Sequence, residues 1–232
     1  MSNTAADRSE TNVWRSPELA RTYLAMADSV AHRTEGEAAL LEVLPERVER
    51  VLDLGCGDGR LGAIVRGAHP DAGGLAVDFS EVMLGLAAER FAGTAMAVAE
   101  HDLAEPLADG PVSAAVAADG PFDAVVSSFA IHHLTDTRKR ALYGEILAVL
   151  RPGGVFANLE HVASATARRH EEFMTIIGES EDEDPSNILA PVETQLEWLR
   201  DLGYVEVDNI WRWRELALLV GEAPAVGAAP PR

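Results

Sequence analysis

Three glycines at alternate positions form the most informative segment of this sequence. Residues 51–59 read Val-Leu-Asp-Leu-Gly-Cys-Gly-Asp-Gly, so an apolar strand leads directly into Gly55, Gly57 and Gly59. Glycines at such a junction let the backbone turn sharply and approach a ligand without a clashing Cβ. The helix predicted to follow them would present free N–H groups. The pattern indicates a nucleotide-binding loop, while the glycine trio alone fits a structural turn equally well.

Carboxylates at the ends of predicted strands supply a second signal. Asp78 ends the second strand, where a carboxylate can accept both hydroxyls of a ribose. A lone aspartate there would more often cap a helix, but Ser80 suits that role. Asp102 ends the third strand and fits either a ligand contact or a solvated turn. With Asp53 beside the glycines, these acids are predicted to meet at the carboxyl edge of one parallel sheet, where a nucleoside would bind.

The order of these segments resembles that of the class I S-adenosylmethionine (SAM)-dependent methyltransferases. The Gly-x-Gly-x-Gly loop resembles motif I of that family, whereas a dinucleotide fold would need its third glycine at the position of Arg60. Residues 122–134 resemble motif IV, and residues 150–156 resemble the turn before the fifth strand. The motifs cover about residues 50–161. The resemblance implies SAM as the cofactor and S-adenosylhomocysteine as the released product.

The resemblance also implies positions for the cofactor. In the family the motif I loop holds the methionine moiety and the sugar, and an acid at the position of Asp102 lies beside the adenine amino group. Two N-terminal residues are added as candidates: Arg33 for a carboxylate of SAM or of the substrate, and Tyr23, like Trp14, as an aromatic wall, with plain packing as the alternative. The predicted cofactor-binding set is Asp53, Gly55, Gly57, Gly59, Asp78, Phe79, Met83, Asp102, Leu103, Ser128, Arg33 and Tyr23.

Histidines and a glutamate after the fourth and fifth strands are the candidate catalytic residues. Methyl transfer from a sulfonium is a displacement in which the protein chiefly supplies position and a dry pocket, and a base helps acceptors that must lose a proton. His161 is the first choice for this base, His133 the second, and Glu160 is a third candidate. Their alternative role is to wall the pocket. The His–Glu–His spacing matches no standard zinc pattern, so no metal is expected.

Apolar runs that alternate with helical patterns predict the fold class. We expect an α/β, Rossmann-like, doubly wound seven-stranded sheet, mostly parallel with an antiparallel edge strand, and an N-terminal helical lid. The domain is predicted over residues 13–221, between a disordered N-terminus (1–12) and a flexible C-terminal tail (222–232). Strands are predicted at 50–54, 75–79, 95–101, 122–129, 155–161, 204–210 and 212–220, and helices at 17–31, 36–44, 61–68, 81–91, 137–150, 163–177 and 192–202.

Composition narrows the partners. The chain has 232 residues, a net charge of −19 and one cysteine, Cys56, which we interpret as a small filler in the loop. So negative a surface disfavours DNA, and we do not expect tRNA, although a local basic patch would allow it. The negative charge is explained either by solubility alone or by a preference for neutral or cationic small substrates. The chain shows neither a signal peptide nor a membrane anchor, so we expect a cytoplasmic monomer or homodimer.

Several functions fit these observations. The main hypothesis is a methyltransferase that acts on a small-molecule acceptor. Residues 183–187, 192–200 and 211–218 resemble a small bacterial subgroup, itself similar to the carboxy-SAM synthases, so an enzyme that modifies SAM itself is the second hypothesis. A non-catalytic SAM-binding subunit is the third, and an intact loop with both acids speaks against it. An NAD dehydrogenase comes last because of Arg60.

Overall fold

The computed structural model describes residues 16, 18, 30–178, 184–225 and 227. A seven-stranded sheet has the strand order β3-β2-β1-β4-β5-β7-β6. The strands are β1 (Arg50–Leu54), β2 (Gly73–Asp78), β3 (Met96–Glu100), β4 (Phe122–Ser128), β5 (Leu150–His161), β6 (Val205–Trp213) and β7 (Leu216–Glu222). The helices are α1 (Arg33–Val43), α2 (Arg60–Ala68), α3 (Glu81–Arg90), α4 (Pro111–Asp119), α5 (Asp136–Val149), α6 (Ala167–Ile177) and α7 (Val192–Leu202).

The pairing of the strands confirms the predicted Rossmann-like sheet. Strands β1 to β5 pair with their neighbours in parallel, and β7 pairs antiparallel with both β5 and β6. Because parallel neighbours point the same way, the carboxyl ends of β1, β2, β3, β4 and β5 form one edge. The chain order reverses beside β1, between β2 and β4, which is the switch point where open sheets of this kind bind ligands.

Helices cover both faces of the sheet, and each face has its own apolar core. Along β1, Leu52 and Leu54 belong to one cluster with Phe122 and Phe156, whereas Val51 belongs to the other with Leu40. This division follows from the alternation of side chains along a strand. Strands that are buried on both faces read as continuous apolar runs, which is why the sheet was visible in the sequence.

The helix α4 was missed by the sequence analysis. Its sequence, Pro-Val-Ser-Ala-Ala-Val-Ala-Ala-Asp, has no marked apolar stripe, so the periodicity on which helix prediction depends is absent. The available signals were at its ends. Pro111 occupies the first helical position, and Gly120 with a φ of 87° follows the last.

The prediction of the last two strands was wrong in its bounds. The predicted turn at residue 211 lies instead at Arg214 and Glu215, where Arg214 takes a left-handed φ of 52°. Trp211, which the prediction placed between the two strands, and Trp213, which it placed in the final strand, therefore both belong to β6. Two irregularities in the β6–β7 pairing explain the error, because a bulge breaks the two-residue alternation that sets register.

The ends of the domain also differ from expectation or lie outside the described residues. β7 includes Glu222, and the Ala223 N–H donates to the Gly154 carbonyl at 2.8 Å, so ordered chain extends past the predicted start of the tail. The predicted first helix (17–31), with its lid role, falls mostly outside the described residues, as do Trp14 and Tyr23. Within the described ranges, no helix has the length and apolar character needed to cross a membrane.

Candidate active site

The glycine loop between β1 and α2 has the backbone that its sequence predicted. Gly55, Gly57 and Gly59 have φ values of 64°, 53° and 81°, in the left-handed region that side chains disfavour. A Cβ at Gly55 would lie 2.3 Å from the Ala130 Cβ, whereas a Cβ at Gly57 would meet nothing within 4 Å. The loop therefore packs on the protein at Gly55 and exposes its backbone to open space at Gly57.

We expect Gly55→Ala to destabilise the fold by about 1–3 kcal/mol more than Gly57→Ala, because only the first methyl group has no room. Both variants carry the same left-handed strain, so Gly57→Ala is the matched control. Urea denaturation followed by circular dichroism measures the difference. Equal losses of unfolding free energy would contradict the packing described for Gly55.

Asp78 joins the end of β2 to the glycine loop. Its Oδ2 accepts a hydrogen bond from the Gly57 N–H at 2.9 Å, and its Oδ1 accepts one from the Ser80 N–H at 2.9 Å. Burial raises the pKa of this carboxyl above its usual value. Ser80 is the N-cap residue of α3, but its side chain makes no capping hydrogen bond. The sequence analysis assigned helix capping to the Ser80 side chain and not to Asp78, and that assignment was wrong. Both oxygens keep lone pairs that ribose hydroxyls can use.

Two buried polar atoms at the ends of β1 and β4 have no hydrogen-bond partner among the residues that the structure describes. Asp53 is fully buried, and its Oδ2 accepts from the Gly62 N–H at 2.8 Å while its Oδ1 lacks a hydrogen bond. Burial raises the pKa of Asp53 to about 7. The Ser128 Oγ is likewise buried without a partner. An unsatisfied buried polar group costs about 1–3 kcal/mol, so the edge around the glycine loop fits a polar ligand.

The remaining predicted cofactor residues at this edge follow β2 and β3. Met83 and Leu103 are buried, and Phe79 and Asp102 are half-buried. The Asp102 Oδ1 accepts a hydrogen bond from the Ala104 N–H at 3.0 Å in a local turn. Burial is the main cause of the raised pKa of Asp78, and the charge of Asp102 raises it further, whereas the backbone hydrogen bonds that Asp78 accepts lower it. The structure thus brings the predicted acids, the loop and these apolar side chains to one edge of the sheet.

Arg33, predicted as a contact for a carboxylate, lies in a buried ion-pair network. Its Nε lies 2.9 Å from the Glu37 Oε1, and Glu37 also binds the Arg60 Nε at 2.7 Å. The guanidinium of Arg33 sits 5.5 Å from the ring centroid of Phe129, after β4. Glu37 therefore joins α1 to the start of α2. Its partner there is Arg60, the residue that replaces the third glycine of a dinucleotide-binding loop.

His132 and Glu160 form a buried pair behind this edge. The His132 Nδ1 lies 2.5 Å from the Glu160 Oε1, and both side chains are buried. Burial raises the pKa of Glu160 to about 7 and lowers that of His132 to about 3. These opposite shifts mean that the pair holds one proton in total over a wide pH range. Neither group reaches solvent, so the pair fixes β5 against the segment after β4.

His133, the neighbour of His132, is held by a loop from the other side. Its Nδ1 lies 2.9 Å from the Ser186 Oγ, which in turn donates to the Asp184 Oδ1 at 2.7 Å. Burial, followed by the proximity of His132, lowers the pKa of His133 to about 3. His133 is therefore a neutral imidazole that packs between β4 and the segment at 184–188.

His161 ends β5 and faces Glu215, a residue that the sequence analysis did not select. The His161 Nε2 lies 3.0 Å from the Glu215 Oε2, and the same carboxylate binds His170 Nδ1 at 3.1 Å and the Ser164 hydroxyl. Burial alone would raise the pKa of Glu215, but the hydrogen bonds from His161, Ser164 and His170 lower it below its usual value. A carboxylate on Nε2 selects the tautomer with its proton there, so Nδ1 carries the lone pair.

The misplaced turn between the last two strands explains why the sequence analysis did not select Glu215. In the predicted scheme it lies inside a strand, whereas in the structure it sits in the turn between β6 and β7, facing the end of β5.

Within the described part of the chain, no group of three or more His, Cys, Asp or Glu side chains is arranged to hold a metal ion.

Comparison with known proteins finds similarity to methyltransferases. A family model described as "Methyltransferase domain" matches residues 51–154. Uncharacterized methyltransferases of Mycobacterium tuberculosis and Mycobacterium bovis are 33% identical to this chain over 121 residues, which are 52% of this chain and 55% of theirs. The chain thus spans about half the length of the curated relatives it matches.

Solved structures share the fold at low sequence identity. Human N-acetylserotonin methyltransferase in complex with SAM has a TM-score of 0.68 and 13% identity, over 94% of this chain and 60% of that one. A chain in the Haloferax volcanii complex of the Trm112 methyltransferase activator with a putative methyltransferase has a TM-score of 0.65 and 21% identity, over 94% and 99%. Residues 51–154 therefore match a methyltransferase domain, and the fold of the chain is shared with a methyltransferase that was solved in complex with SAM.

Proposed function

We propose that this protein transfers a methyl group from SAM to a small-molecule acceptor and releases S-adenosylhomocysteine. One observation carries the proposal. The glycine loop, open at Gly57 and tied to the Asp78 carboxylate, lies at the same sheet edge as the His161–Glu215 pair. A cofactor site and a candidate base therefore lie at one edge of the sheet, with the end of β4 between those of β1 and β5, and group transfer requires two bound molecules to be held close together in this way.

The loop and the strand-end acids would hold the cofactor. The backbone at Gly57 has room beside it for the methionine part, and Asp78 has lone pairs for the ribose hydroxyls. Asp102 is assigned to the adenine side, and the unpartnered Asp53 Oδ1 and Ser128 Oγ are polar atoms that a ligand or its water would satisfy. When bound, SAM supplies an electrophilic methyl group on a positively charged sulfur.

His161 is the residue that we assign to proton removal from the acceptor. Glu215 holds the Nε2 proton, so the Nδ1 lone pair can accept a proton from an acceptor hydroxyl or amine. The buried carboxylate then stabilises the imidazolium that forms, as in other His–carboxylate pairs. Glu215 acts through His161 and is a positioning residue. Glu160, held by His132, is assigned a positioning role as well, and His133 remains the second candidate base.

Replacing Asp78 with alanine tests the cofactor site. We expect Asp78→Ala to weaken SAM binding by about 1–3 kcal/mol, because the ribose loses a charged hydrogen-bond acceptor. Isothermal titration calorimetry measures the dissociation constant. Asp109→Ala is the control, since that carboxylate lies in the turn at Leu107–Asp109 that precedes α4, away from the loop. An unchanged dissociation constant in Asp78→Ala would sink the assignment.

The reaction itself is tested by product analysis. Incubating the protein with SAM and a panel of small hydroxyl, amine and thiol acceptors should yield S-adenosylhomocysteine and a product heavier by one methylene, detected by mass spectrometry. A heavier SAM species formed with prephenate would favour modification of SAM itself. Tight SAM binding without S-adenosylhomocysteine across the whole panel would favour a non-catalytic subunit.

A further inference from the structure

An open cavity of about 690 Å³ lies beside the turn between β6 and β7. Its walls come from the segment after β5, the first turn of α6 and the end of the β-hairpin. Among the described residues its lining consists of Ser164, Ala165, Arg169, Arg212 and Arg214. Three guanidinium groups around one cavity are unexpected in a chain with 38 acidic and 19 basic residues.

We propose that this cavity binds the anionic group of the acceptor, a carboxylate or a phosphate, through Arg169, Arg212 and Arg214. The inference rests on the proposed methyl transfer and names its substrate class. An arginine fork matches the planar geometry of a carboxylate or the oxygens of a phosphate and can bind either through two parallel hydrogen bonds. This assignment replaces the preference for neutral or cationic substrates that the overall charge favours.

The charges of the three arginines are only weakly compensated by carboxylates in the described part of the chain. Within the described ranges, no ion pair joins Arg169 or Arg214 to a carboxylate, and Arg212 forms a long pair of 4.0 Å with the exposed Glu193. The Arg212 Nε donates to the Arg214 carbonyl at 2.9 Å, and the Arg214 guanidinium lies 5.9 Å from the Trp213 ring centroid. By contrast, Arg168, the neighbour of Arg169, pairs with Glu172.

The backbone adds to the positive potential of this cavity. Ser164 and Ala165 directly precede Thr166, the N-cap of the eleven-residue helix α6. The N-terminus of a helix carries a partial positive charge that favours anions in the first turn. Arg169 lies in that first turn, so the guanidinium and the helix end act on the same space.

The cavity is connected to the proposed base by one carboxylate. The Ser164 hydroxyl, in the cavity wall, donates to the Glu215 Oε1, and the Glu215 Oε2 binds His161 Nε2. An acceptor anchored by its anionic group in the cavity would therefore extend past Glu215 to bring its hydroxyl or amine to the Nδ1 of His161. Binding energy from the remote anion would orient the acceptor hydroxyl or amine, which is how distant groups of a substrate accelerate a reaction.

Calorimetric titration of the protein with S-adenosylhomocysteine present tests the cavity directly. The probes are inorganic phosphate, 4-hydroxybenzoate and its neutral analogue 4-hydroxybenzamide, all at low ionic strength. We expect phosphate or the carboxylate to bind, the amide to bind at least tenfold more weakly, and Arg169→Gln and Arg214→Gln each to weaken anion binding about tenfold. Phosphate bound without the benzoate would identify phosphate monoesters as the acceptor class, and the reverse would identify carboxylates.

Arg168→Gln is the matched control, because it removes the same charge one residue away from the cavity. A similar loss of anion binding in Arg168→Gln and Arg169→Gln would show a general charge effect and overturn the site. Absence of binding by both anions at tens of millimolar would overturn it as well. Failure of SAM to bind, with anion binding intact, would instead contradict the proposed function and leave the anion site standing.

Discussion

His161→Ala should lower kcat by about 10²–10⁴-fold with any acceptor that yields S-adenosylhomocysteine, the range that general bases contribute. The acceptor then has to lose its proton to water rather than to a nitrogen that Glu215 has oriented. SAM binding should be unchanged, because His161 lies at the end of β5, outside the glycine loop and the acids that we assign to the cofactor. Steady-state kinetics and calorimetry on the same preparation measure the two effects.

A graded series separates the base from its positioning residue. Glu215→Gln should lower kcat less than His161→Ala and leave the KM of the acceptor unchanged, since the amide weakens control of the tautomer but keeps a hydrogen bond. Added imidazole should partly restore His161→Ala, because the removed ring leaves space beside Phe173, whose ring centroid lies 5.4 Å from that of His161. His69→Ala, after the far end of α2, serves as the control. Full activity in His161→Ala would transfer the role to His133 or to no base at all.

His132→Ala should destabilise the protein by about 3–5 kcal/mol at pH 8, the cost of removing one partner of a buried pair. Above its pKa of about 7, Glu160 would then have to ionise in the interior without the imidazole. Urea denaturation at fixed pH measures the free energy of unfolding. Glu160→Gln is the matched variant, because a neutral amide fills the same volume and keeps a hydrogen bond to His132. We expect it to cost about 1 kcal/mol.

The destabilisation by His132→Ala should be larger at pH 8 than at pH 5.5. Burial raises the pKa of Glu160 from 4.5 to about 7, so its contribution to stability is complete below pH 4.5 and is lost as the pH rises through 7. The lowered pKa of His132, about 3, gives a contribution that is present above pH 6.5 and falls in acid. At pH 5.5 the unpaired Glu160 stays protonated. The variant also lacks His132, so it avoids the cost of keeping a buried imidazole neutral at a pH below 6.5. Equal destabilisation at both pH values would contradict the shared proton.

The order of the elements and the cofactor edge could be predicted from the sequence for a local reason. Each of the glycine loop, Asp78 and Asp102 follows its own apolar strand within a few residues, and parallel strands bring their carboxyl ends to one edge whatever the packing. The positive φ values that are required at Gly55, Gly57 and Gly59 are also a local property, since each concerns the backbone of a single residue. Helix α4 escaped prediction because an alanine-rich segment has no periodic apolar face.

The chemistry beyond the cofactor depends on contacts between distant residues. Glu215 lies 54 positions after His161, and only the β5–β7 pairing and the displaced turn at Arg214 bring the two together. The same turn places Arg212 and Arg214 beside Arg169 of α6. The β6–β7 pairing contains two irregularities, between Val205 and Asp208 and between Asn209 and Trp211, and strand pairing of this kind depends on context more than on local sequence.

The sequence by itself determined the fold and the strand ends to which we assign the nucleoside, because periodicity and single-residue backbone preferences are short-range properties. Only the tertiary structure decided which carboxylate holds His161, that Glu160 and His132 are buried as a pair, and which arginines share a cavity. Those relations depend on strand register and on burial, and a shift of one residue in a strand moves every side chain to the opposite face.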